Sequence, residues 1–201
     1  MGMASLPPLM HEELPRTRLK AATRKEARDN QRWRILEAMA HLAGKRGFAS
    51  VSVAHVIERA GVSRKAFYEY FSDREDCFVT AYEELSERLV RDLMKEGERV
   101  QSGDRTRAQL GRYLDVLSRD LPMARAFVVE VMGAGPKSLA ARERVNRQFA
   151  ELVFGHTSKD PIVRKALIAG VNDAVAGVLL GKQKTKLSSL LPSLVRFVNQ
   201  T

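Results

Sequence analysis

Apolar residues recur along most of the chain at the three- and four-residue spacing of one helix face. The first stripe consists of Ile35, Leu36, Met39, Leu42 and Ala43. It stops at Gly47, a residue suited to the end of a helix. Because no stretch alternates with a period of two over a useful length, the pattern predicts an all-α fold and argues against a sheet.

Two short helices joined at a glycine are predicted next. Ser52 is placed to cap the first, and Gly61 supplies the tight turn that ends it. Ser63 is placed to cap the second, which ends near Tyr70. The second helix would keep a polar and basic outer face that fits the major groove of duplex DNA. This pair is typical of a helix-turn-helix.

Longer helices are predicted for the rest of the chain. Ser72 and Glu75 have the spacing of a capping box, and they open a helix that runs to about Val100. The later helices are predicted around 110–121, from Pro122, over 137–154, from Asp160 and over 187–198.

The positive charge is concentrated in one quarter of the chain. The 201 residues carry a formal charge of +10 at pH 7, and 44% of them are hydrophobic, as in a soluble globular protein. Thirteen basic and four acidic residues lie between Arg16 and Lys65, which gives that segment a net charge of +9. A segment that meets a polyanion is expected to be basic in this way, and a solubilising surface is the alternative.

Several classes of protein are disfavoured by the same sequence. No apolar run is long enough to cross a bilayer, and no secretory signal is visible, so we expect a cytoplasmic protein that does not enter a membrane. Cys77 is the single cysteine and the four histidines are scattered, so we expect no disulfide, metal or cofactor. No nucleophile with a base, paired carboxylates or phosphate loop is visible, so we do not expect an enzyme.

Short motifs follow one another between Arg32 and Phe78. They are Arg34-Ile-Leu-Glu-Ala, Gly47-Phe48, Ser52, Ala60-Gly61-Val62-Ser63, Phe67-Tyr68, Tyr70-Phe71 and Arg74-Glu75. Through these motifs, in this order, the segment resembles the TetR family of transcriptional regulators. The resemblance implies an N-terminal three-helix helix-turn-helix DNA-binding domain followed by a larger helical bundle for ligand binding and dimerisation. We therefore expect a flexible basic arm over 1–27, a DNA-binding head over 28–76 and a body over 77–201.

The resemblance also implies a function. Members of the family are homodimers that bind palindromic operators in double-stranded DNA and release them when a small molecule enters the body. We expect a repressor of this kind with a mostly apolar effector, because the body holds few candidates for recognising a buried charge. The alternatives are a dimeric DNA-binding regulator without an effector, and a helical adaptor that binds a protein partner or an anionic membrane surface.

Seven residues are candidates for contact with DNA: Ser52, Ser63, Arg64, Lys65, Tyr68, Tyr70 and Arg74. Arg64 and Lys65 are assigned to base edges, because a guanidinium can bind guanine bidentately, and phosphate contact alone is the alternative. The other five are interpreted as clamps on the DNA backbone, with plain helix capping as the alternative for the two serines. Lys65 stands where relatives commonly have a small residue, so the operator sequence cannot be borrowed from them.

The basic stretch from Arg16 to Arg34 has two interpretations. It carries eight basic residues against Glu26 and Asp29, and it could lie along a minor groove next to the helix-turn-helix. A disordered and solvated tail is the alternative.

A strip of small residues near the C-terminus suggests a dimer. Gly170, Ala174, Gly177 and Gly181 are spaced four, three and four apart, which allows a second helix to approach closely. With apolar residues of the last helix they predict an intermolecular four-helix bundle, and packing within one chain is the alternative. The predicted interface is Gly170, Ala174, Gly177, Val178, Gly181, Leu187, Leu191, Leu194 and Val198.

Aromatic and sulfur-containing side chains in the body are the candidates for lining an effector pocket. They are Tyr82, Met94, Tyr113, Met123, Phe127, Met132 and Phe149. Since each of them also has helical spacing, a place in the core is the alternative for each.

Overall fold

The computed structural model describes residues 24–183 and 185–200, and within them the chain is helical without a strand. The helices are α1 (Arg24–Arg46), α2 (Val53–Ala60), α3 (Arg64–Tyr68), α4 (Arg74–Glu98), α5 (Arg105–Arg119), α6 (Leu121–Val128), α7 (Pro136–Phe154), α8 (Pro161–Leu179) and α9 (Leu191–Asn199). The predicted all-α fold, with a helix-turn-helix followed by a larger helical body, is confirmed.

Local capping sets most of the helix starts that the sequence predicts. Ser52 caps α2, Ser63 caps α3 and Asp160 caps α8, each by accepting a backbone N–H from the first turn. Gly61 ends α2 in the left-handed conformation, with φ of 63°, which a residue with a side chain adopts at a cost. The helix-turn-helix is therefore fixed largely by its own short segment of sequence.

The start of α4 was predicted wrongly. Asp73, not Ser72, is the N-cap, and its carboxylate accepts the N–H of Asp76 at 2.8 Å. Ser72 instead donates its N–H and its hydroxyl to the Asp76 carboxylate, at 2.8 and 3.1 Å. Asp73 therefore has the capping role predicted for Ser72, and Asp76 has the role predicted for Glu75. The Glu75 carboxylate lies instead against Gly135 in the body.

Two apolar cores lie along the molecule. The first is built from α1 to α4 and includes Phe67 and Phe78, but it also takes in Ala126, Val131 and Ala141 from the body. The second lies among α5, α7, α8 and α9. Helix α4 runs through the predicted boundary at residue 76, so the division into head and body stays a prediction.

Helix α6 packs directly along α1. A Cβ added to Gly44 of α1 would lie 1.6 Å from the carbonyl oxygen of Pro122 in α6, so only a glycine permits this approach. The opposite sides of α6 face α5 and α8. Head and body are thus in contact through α6 as well as through the continuous α4.

The predicted N-terminal arm falls mostly outside the described residues. Residues 1–23 are not described, and 24–27 belong to the first turns of α1. Both interpretations of the arm stay open.

Candidate nucleic-acid interface

Helix α3 presents a polar face to solvent and an apolar face to the core. Arg64, Lys65 and Tyr68 are exposed, and Tyr68 keeps 49% of its surface accessible. Phe67 is fully buried and anchors the helix in the first core. The hydroxyl of Ser63 accepts a backbone N–H at 3.1 Å. The residues predicted to read bases therefore lie on the outer face of the second helix of the motif.

Helix α2 begins with a reciprocal pair of hydrogen bonds. The Ser52 hydroxyl accepts the N–H of His55 at 3.3 Å, and His55 Nδ1 accepts the N–H of Ser52 at 3.2 Å. The role of His55 was not predicted, because a capping box usually has Glu or Gln at the third position of the helix. The capping role of Ser52 is confirmed, while its contact with phosphate stays a prediction.

Tyr70 and Arg74 bind other parts of the head. The Tyr70 hydroxyl donates to the carbonyl oxygen of Arg28 at 3.2 Å, so the segment that follows α3 is hydrogen-bonded to α1. The Arg74 guanidinium lies over the ring of Phe48, 4.7 Å from its centre. Nη1 of Arg74 donates at 2.7, 3.1 and 3.3 Å to the carbonyl oxygens of Val51, Ala49 and Phe48. Each residue has a structural role that the sequence did not reveal, and DNA contact stays a prediction for both.

The cations on and beside α3 lack acidic partners within the described part of the chain. Arg64 and Lys65 form no ion pair there. Arg34 of α1 lies next to the turn of the motif, with Nη1 3.7 Å from the position that a Cβ on Gly61 would occupy. Arg34 was predicted only as one member of a basic stretch, because the neighbouring residues in the sequence do not show where its guanidinium lies. The resulting surface is positive and open to an anionic partner.

The seven candidates for an effector pocket are not equivalent in the structure. Tyr82, Tyr113 and Phe149 are buried, and the ring of Tyr113 lies 4.9 Å from that of Phe149. Burial raises the pKa of both tyrosine hydroxyls. Met94 and Met132 keep 48% and 58% of their surface exposed, so they are surface residues of the body.

Met123 and Phe127 of α6 are partly buried, and the Phe127 ring lies 5.5 Å from that of Tyr82. A polar chain crosses the same interior: the Tyr113 hydroxyl donates to Asn172 Oδ1 at 3.2 Å, and Asn172 Nδ2 donates to Asn146 Oδ1 at 3.2 Å. The chain links α5, α8 and α7. Five of the seven candidates are thus buried or partly buried, three of them in the first core and Tyr113 and Phe149 in the second, and their role in ligand binding stays a prediction.

Two adjoining clefts open on the surface of the body between α4, α5 and α9. Their volumes are about 670 and 300 Å³. They share Gly111, Asp115 and Leu191, and none of the seven pocket candidates lines either of them.

The predicted dimer strip is only partly present. Gly170, Ala174 and Gly177 lie along α8 and are partly buried. Gly181 lies beyond the end of α8 with φ of 70°, so it does not continue the strip. Glycine is favoured at this position because the turn has a left-handed backbone, which is strained for other residues.

The apolar residues of the predicted interface also divide. Leu187, Leu194 and Val198 are 3%, 5% and 0% exposed and pack inside the second core of their own chain. These three residues therefore pack within one chain, which was the alternative to the predicted interface. Val178 and Leu191 are partly buried. The interface itself stays a prediction.

Among the described residues, no group of three or more His, Cys, Asp or Glu side chains is placed to hold a metal ion. None of the described helices combines the length and the apolar character that a membrane span requires.

Comparison with known proteins links this geometry to a family. Residues 35–81 match the model of the bacterial regulatory proteins of the tetR family. The chain is 32% identical over 97 residues to YfiR of Bacillus subtilis (strain 168), an uncharacterized HTH-type transcriptional regulator. That alignment covers 48% of this chain and 45% of the relative, so the chain spans about half the length of the curated relative it matches.

Solved structures share the fold over most of the chain. The fatty acid degradation regulator FadR of Bacillus halodurans superposes with a TM-score of 0.73 at 16% identity, covering 83% of this chain and 96% of that one. FadR of Bacillus subtilis, solved in complex with stearoyl-CoA, gives the same TM-score, identity and coverage. The helix-turn-helix region of the chain, residues 35–81, thus matches the bacterial regulatory proteins of the tetR family, and the fold of the chain is similar to that of these solved regulators.

Proposed function

We propose that the chain is a homodimeric transcriptional repressor that binds a palindromic operator through α3 and is released by a small, mostly apolar effector. The observation that carries the proposal is the outer face of α3, where Arg64 and Lys65 are exposed and have no acidic partner among the described residues. A helix can enter the major groove, and a guanidinium there can read guanine bidentately.

The dimer is proposed from α8 and α9. A single head reads one half-site, while a two-fold axis would present two heads to a palindrome with centres about 34 to 36 Å apart. Large apolar side chains stay exposed here, namely Ile162 of α8, Leu180 just after it and Phe197 of α9, at 78%, 40% and 41%. The Phe197 ring lies against Gly170 of its own chain, 3.0 Å from the position of an added Cβ, and the exposed parts of these side chains favour contact with a second copy of the chain.

The effector is proposed to act in the interior of the body. Buried aromatic residues with a few polar groups between them are typical of small-molecule sites, and the second core combines Tyr113 and Phe149 with Asn172, which accepts a hydrogen bond from Tyr113. Stearoyl-CoA, which the FadR of similar fold was solved with, is therefore the first probe.

Coupling between effector and operator is proposed to run through α4. The helix begins in the head at Arg74, packs Phe78 and Leu85 in the first core and reaches the second core with Leu93. A shift of its body end would change the spacing of the two heads on the operator.

In vitro selection from a random duplex library tests the DNA-binding part. The purified full chain should enrich an inverted repeat, whereas the variant Arg64→Ala/Lys65→Ala should enrich none. The matched control is Arg147→Ala/Lys159→Ala, which removes one exposed arginine and one exposed lysine from the body. Equal enrichment by the first variant and the unchanged chain would overturn the proposal.

The oligomeric state is tested by sedimentation velocity at micromolar concentration. We expect a dimer for the unchanged chain and a monomer for Ala174→Glu, because the carboxylate would be buried in the interface. Ala140→Glu places the same change on an exposed site of α7 and should stay dimeric. A monomeric unchanged chain would remove the dimer from the proposal.

A regulator without an effector is the second candidate function. The observation that favours it is that the two clefts lie at the surface and are lined by none of the pocket candidates. Titration of the operator complex with stearoyl-CoA, with coenzyme A alone as the control, separates the two candidates. Release by the acyl form alone favours the effector-controlled repressor.

A further inference from the structure

The segment that joins α1 to the helix-turn-helix is held from two sides. From the head, Arg74 donates to carbonyl oxygens of Phe48, Ala49 and Val51. From the body, Glu130 Oε2 accepts the N–H of Phe48 at 3.1 Å, across 82 residues of sequence. Ser52, the cap of α2, follows this segment directly, so the position of the segment sets the position of α2 and of α3 behind it.

Glu130 is placed for this contact by its own surroundings. It lies in the short 3-10 turn Glu130–Met132 that follows α6, and its side chain is only 17% exposed. Its other carboxylate oxygen, Oε1, accepts Nε of Arg125 at 3.3 Å. Gly47 has φ of 82°, and a Cβ on it would lie 3.5 Å from Glu130 Oε2. The carboxylate therefore rests against the backbone of the joining segment with both oxygens bonded.

Helix α6 connects this contact to the interior of the body. Helix α6 lies against α1, where the Pro122 carbonyl approaches Gly44, and it also packs against α5 and α8. Tyr113 and Asn172, which form the polar chain of the interior, belong to α5 and α8. Because packed interiors transmit displacement with little compression, a rearrangement of α5 or α8 moves α6 and Glu130 with it.

We propose that Glu130 is a positioning residue through which the body orients the DNA-reading helices, by a route from α6 to the joining segment that is separate from α4. The inference rests on the proposed function, since it concerns how operator binding is controlled. Linkage requires the coupling to be reciprocal, so operator bound to the head must alter α6 through the same contact. This gives a test that needs no effector.

The experiment measures hydrogen exchange of the full chain with and without the operator fragment recovered by selection. In the unchanged chain, operator should slow exchange in peptides covering residues 121–132, far from the DNA-reading face. In Glu130→Ala this slowing should be lost. Operator affinity should change about fivefold or more, the lower range for coupled sites. Glu143→Gln, which alters a surface pair with Lys165, is the matched control and should behave as the unchanged chain.

A conservative variant separates positioning from a loss of folding. Glu130→Gln keeps an acceptor for the N–H of Phe48 but has no charge for Arg125. It should keep part of the operator-dependent slowing that Glu130→Ala loses, because the neutral amide oxygen still accepts a hydrogen bond, although a weaker one than the carboxylate accepts. This variant supplies the result if Glu130→Ala does not fold.

Three results would contradict the inference. In the first, operator slows hydrogen exchange at residues 121–132 as much in both Glu130 variants as in the unchanged chain, which would show that another contact carries the coupling. Absence of slowing in an unchanged chain that binds operator would show that this route is not used. An unchanged chain that binds no DNA would instead remove the proposed function, and the inference would fall with it.

Discussion

Charged side chains are arranged differently on α3 of the head and on α5 and α8 of the body. The Arg112 guanidinium lies 3.0 Å from the Asp92 carboxylate and 2.9 Å from that of Asp115, and the Arg164 guanidinium lies 2.9 Å from the Glu151 carboxylate. On the outer face of α3, Arg64 and Lys65 have no such partner among the described residues.

The difference distinguishes cations that are held by acidic neighbours in the same chain from cations that are left open to an anionic partner. Exposed ion pairs contribute little to stability, about 0 to 1 kcal/mol, but they neutralise the surface of the body. Unpaired cations repel one another in the free protein and gain their favourable interaction only when a polyanion binds. The exposed cations of α3 are therefore better placed to gain from binding a polyanion than the paired cations of α5 and α8.

The largest expected effect comes from removing the unpaired cations. Arg64→Ala/Lys65→Ala should weaken operator binding by about 2 to 6 kcal/mol, since each base contact contributes about 1 to 3 kcal/mol. The free energy of unfolding should change by less than about 0.5 kcal/mol, as for other exposed sites. Fluorescence anisotropy and urea denaturation measure the two quantities.

The paired cation Arg112 provides the contrast. Arg112→Ala should leave operator affinity unchanged while lowering the free energy of unfolding by about 1 kcal/mol or less. If this variant weakened operator binding as much as the first, the distinction between head and body would be wrong.

The contact that joins the two regions is broken by Gly44→Ala. The added methyl group would meet the Pro122 carbonyl, so α1 and α6 must separate, and we expect a loss of about 3 kcal/mol in the free energy of unfolding. Gly103→Ala is the control, because a Cβ there meets nothing within 4 Å. Equal urea midpoints for the two variants would show that the α1–α6 contact contributes little.

Two arginines of the head, one bonded to the backbone and one without an acidic partner among the described residues, allow the same comparison within a single region. Arg74→Ala removes a guanidinium from three carbonyl oxygens and should lower the free energy of unfolding by about 2 kcal/mol. Arg34→Ala should leave stability nearly unchanged but reduce the salt dependence of operator binding by about one counterion. A stable Arg74→Ala protein with weakened DNA binding would instead favour the predicted phosphate clamp.

The smallest effect concerns only the body. His156 Nε2 lies 2.8 Å from the Thr106 hydroxyl, and desolvation, with Arg105 nearby, lowers the pKa of His156 from its ordinary value. The folded protein therefore binds this proton less well than the unfolded chain. Stability is lost as the pH falls through the unfolded pKa of about 6.5, and the loss ends below the folded pKa. His156→Gln should lack this part of the pH dependence in urea denaturation at pH 5 and 7, and operator binding at pH 7 should be unchanged.

Local signals in the sequence predicted the helix-turn-helix well. Ser52, Gly61 and Ser63 act within a few residues of their own positions, so the printed order of residues is enough to place them. The same kind of reasoning failed at Ser72, because Asp73 caps the helix by accepting the N–H of Asp76, and Asp76, not Glu75, accepts the N–H of Ser72.

The body was predicted less completely, because periodicity shows that a residue faces a helix neighbour without showing which one. Leu194 and Val198 have the pattern of an interface but pack inside their own chain. Met94 and Tyr113 have the same pattern, yet one is at the surface and the other is buried.

The sequence by itself determined the all-α fold, the helix-turn-helix and the concentration of positive charge, because each depends on residues close together in the chain. The partners of long side chains depend on the tertiary structure. Arg74 donates to carbonyl oxygens before α2, Arg34 lies beside the turn of the motif, and Glu130 accepts the N–H of Phe48. These partners are 23 to 82 residues apart. The packing of α6 against α1 brings Glu130 to the head, and no pattern of neighbouring residues encodes that meeting.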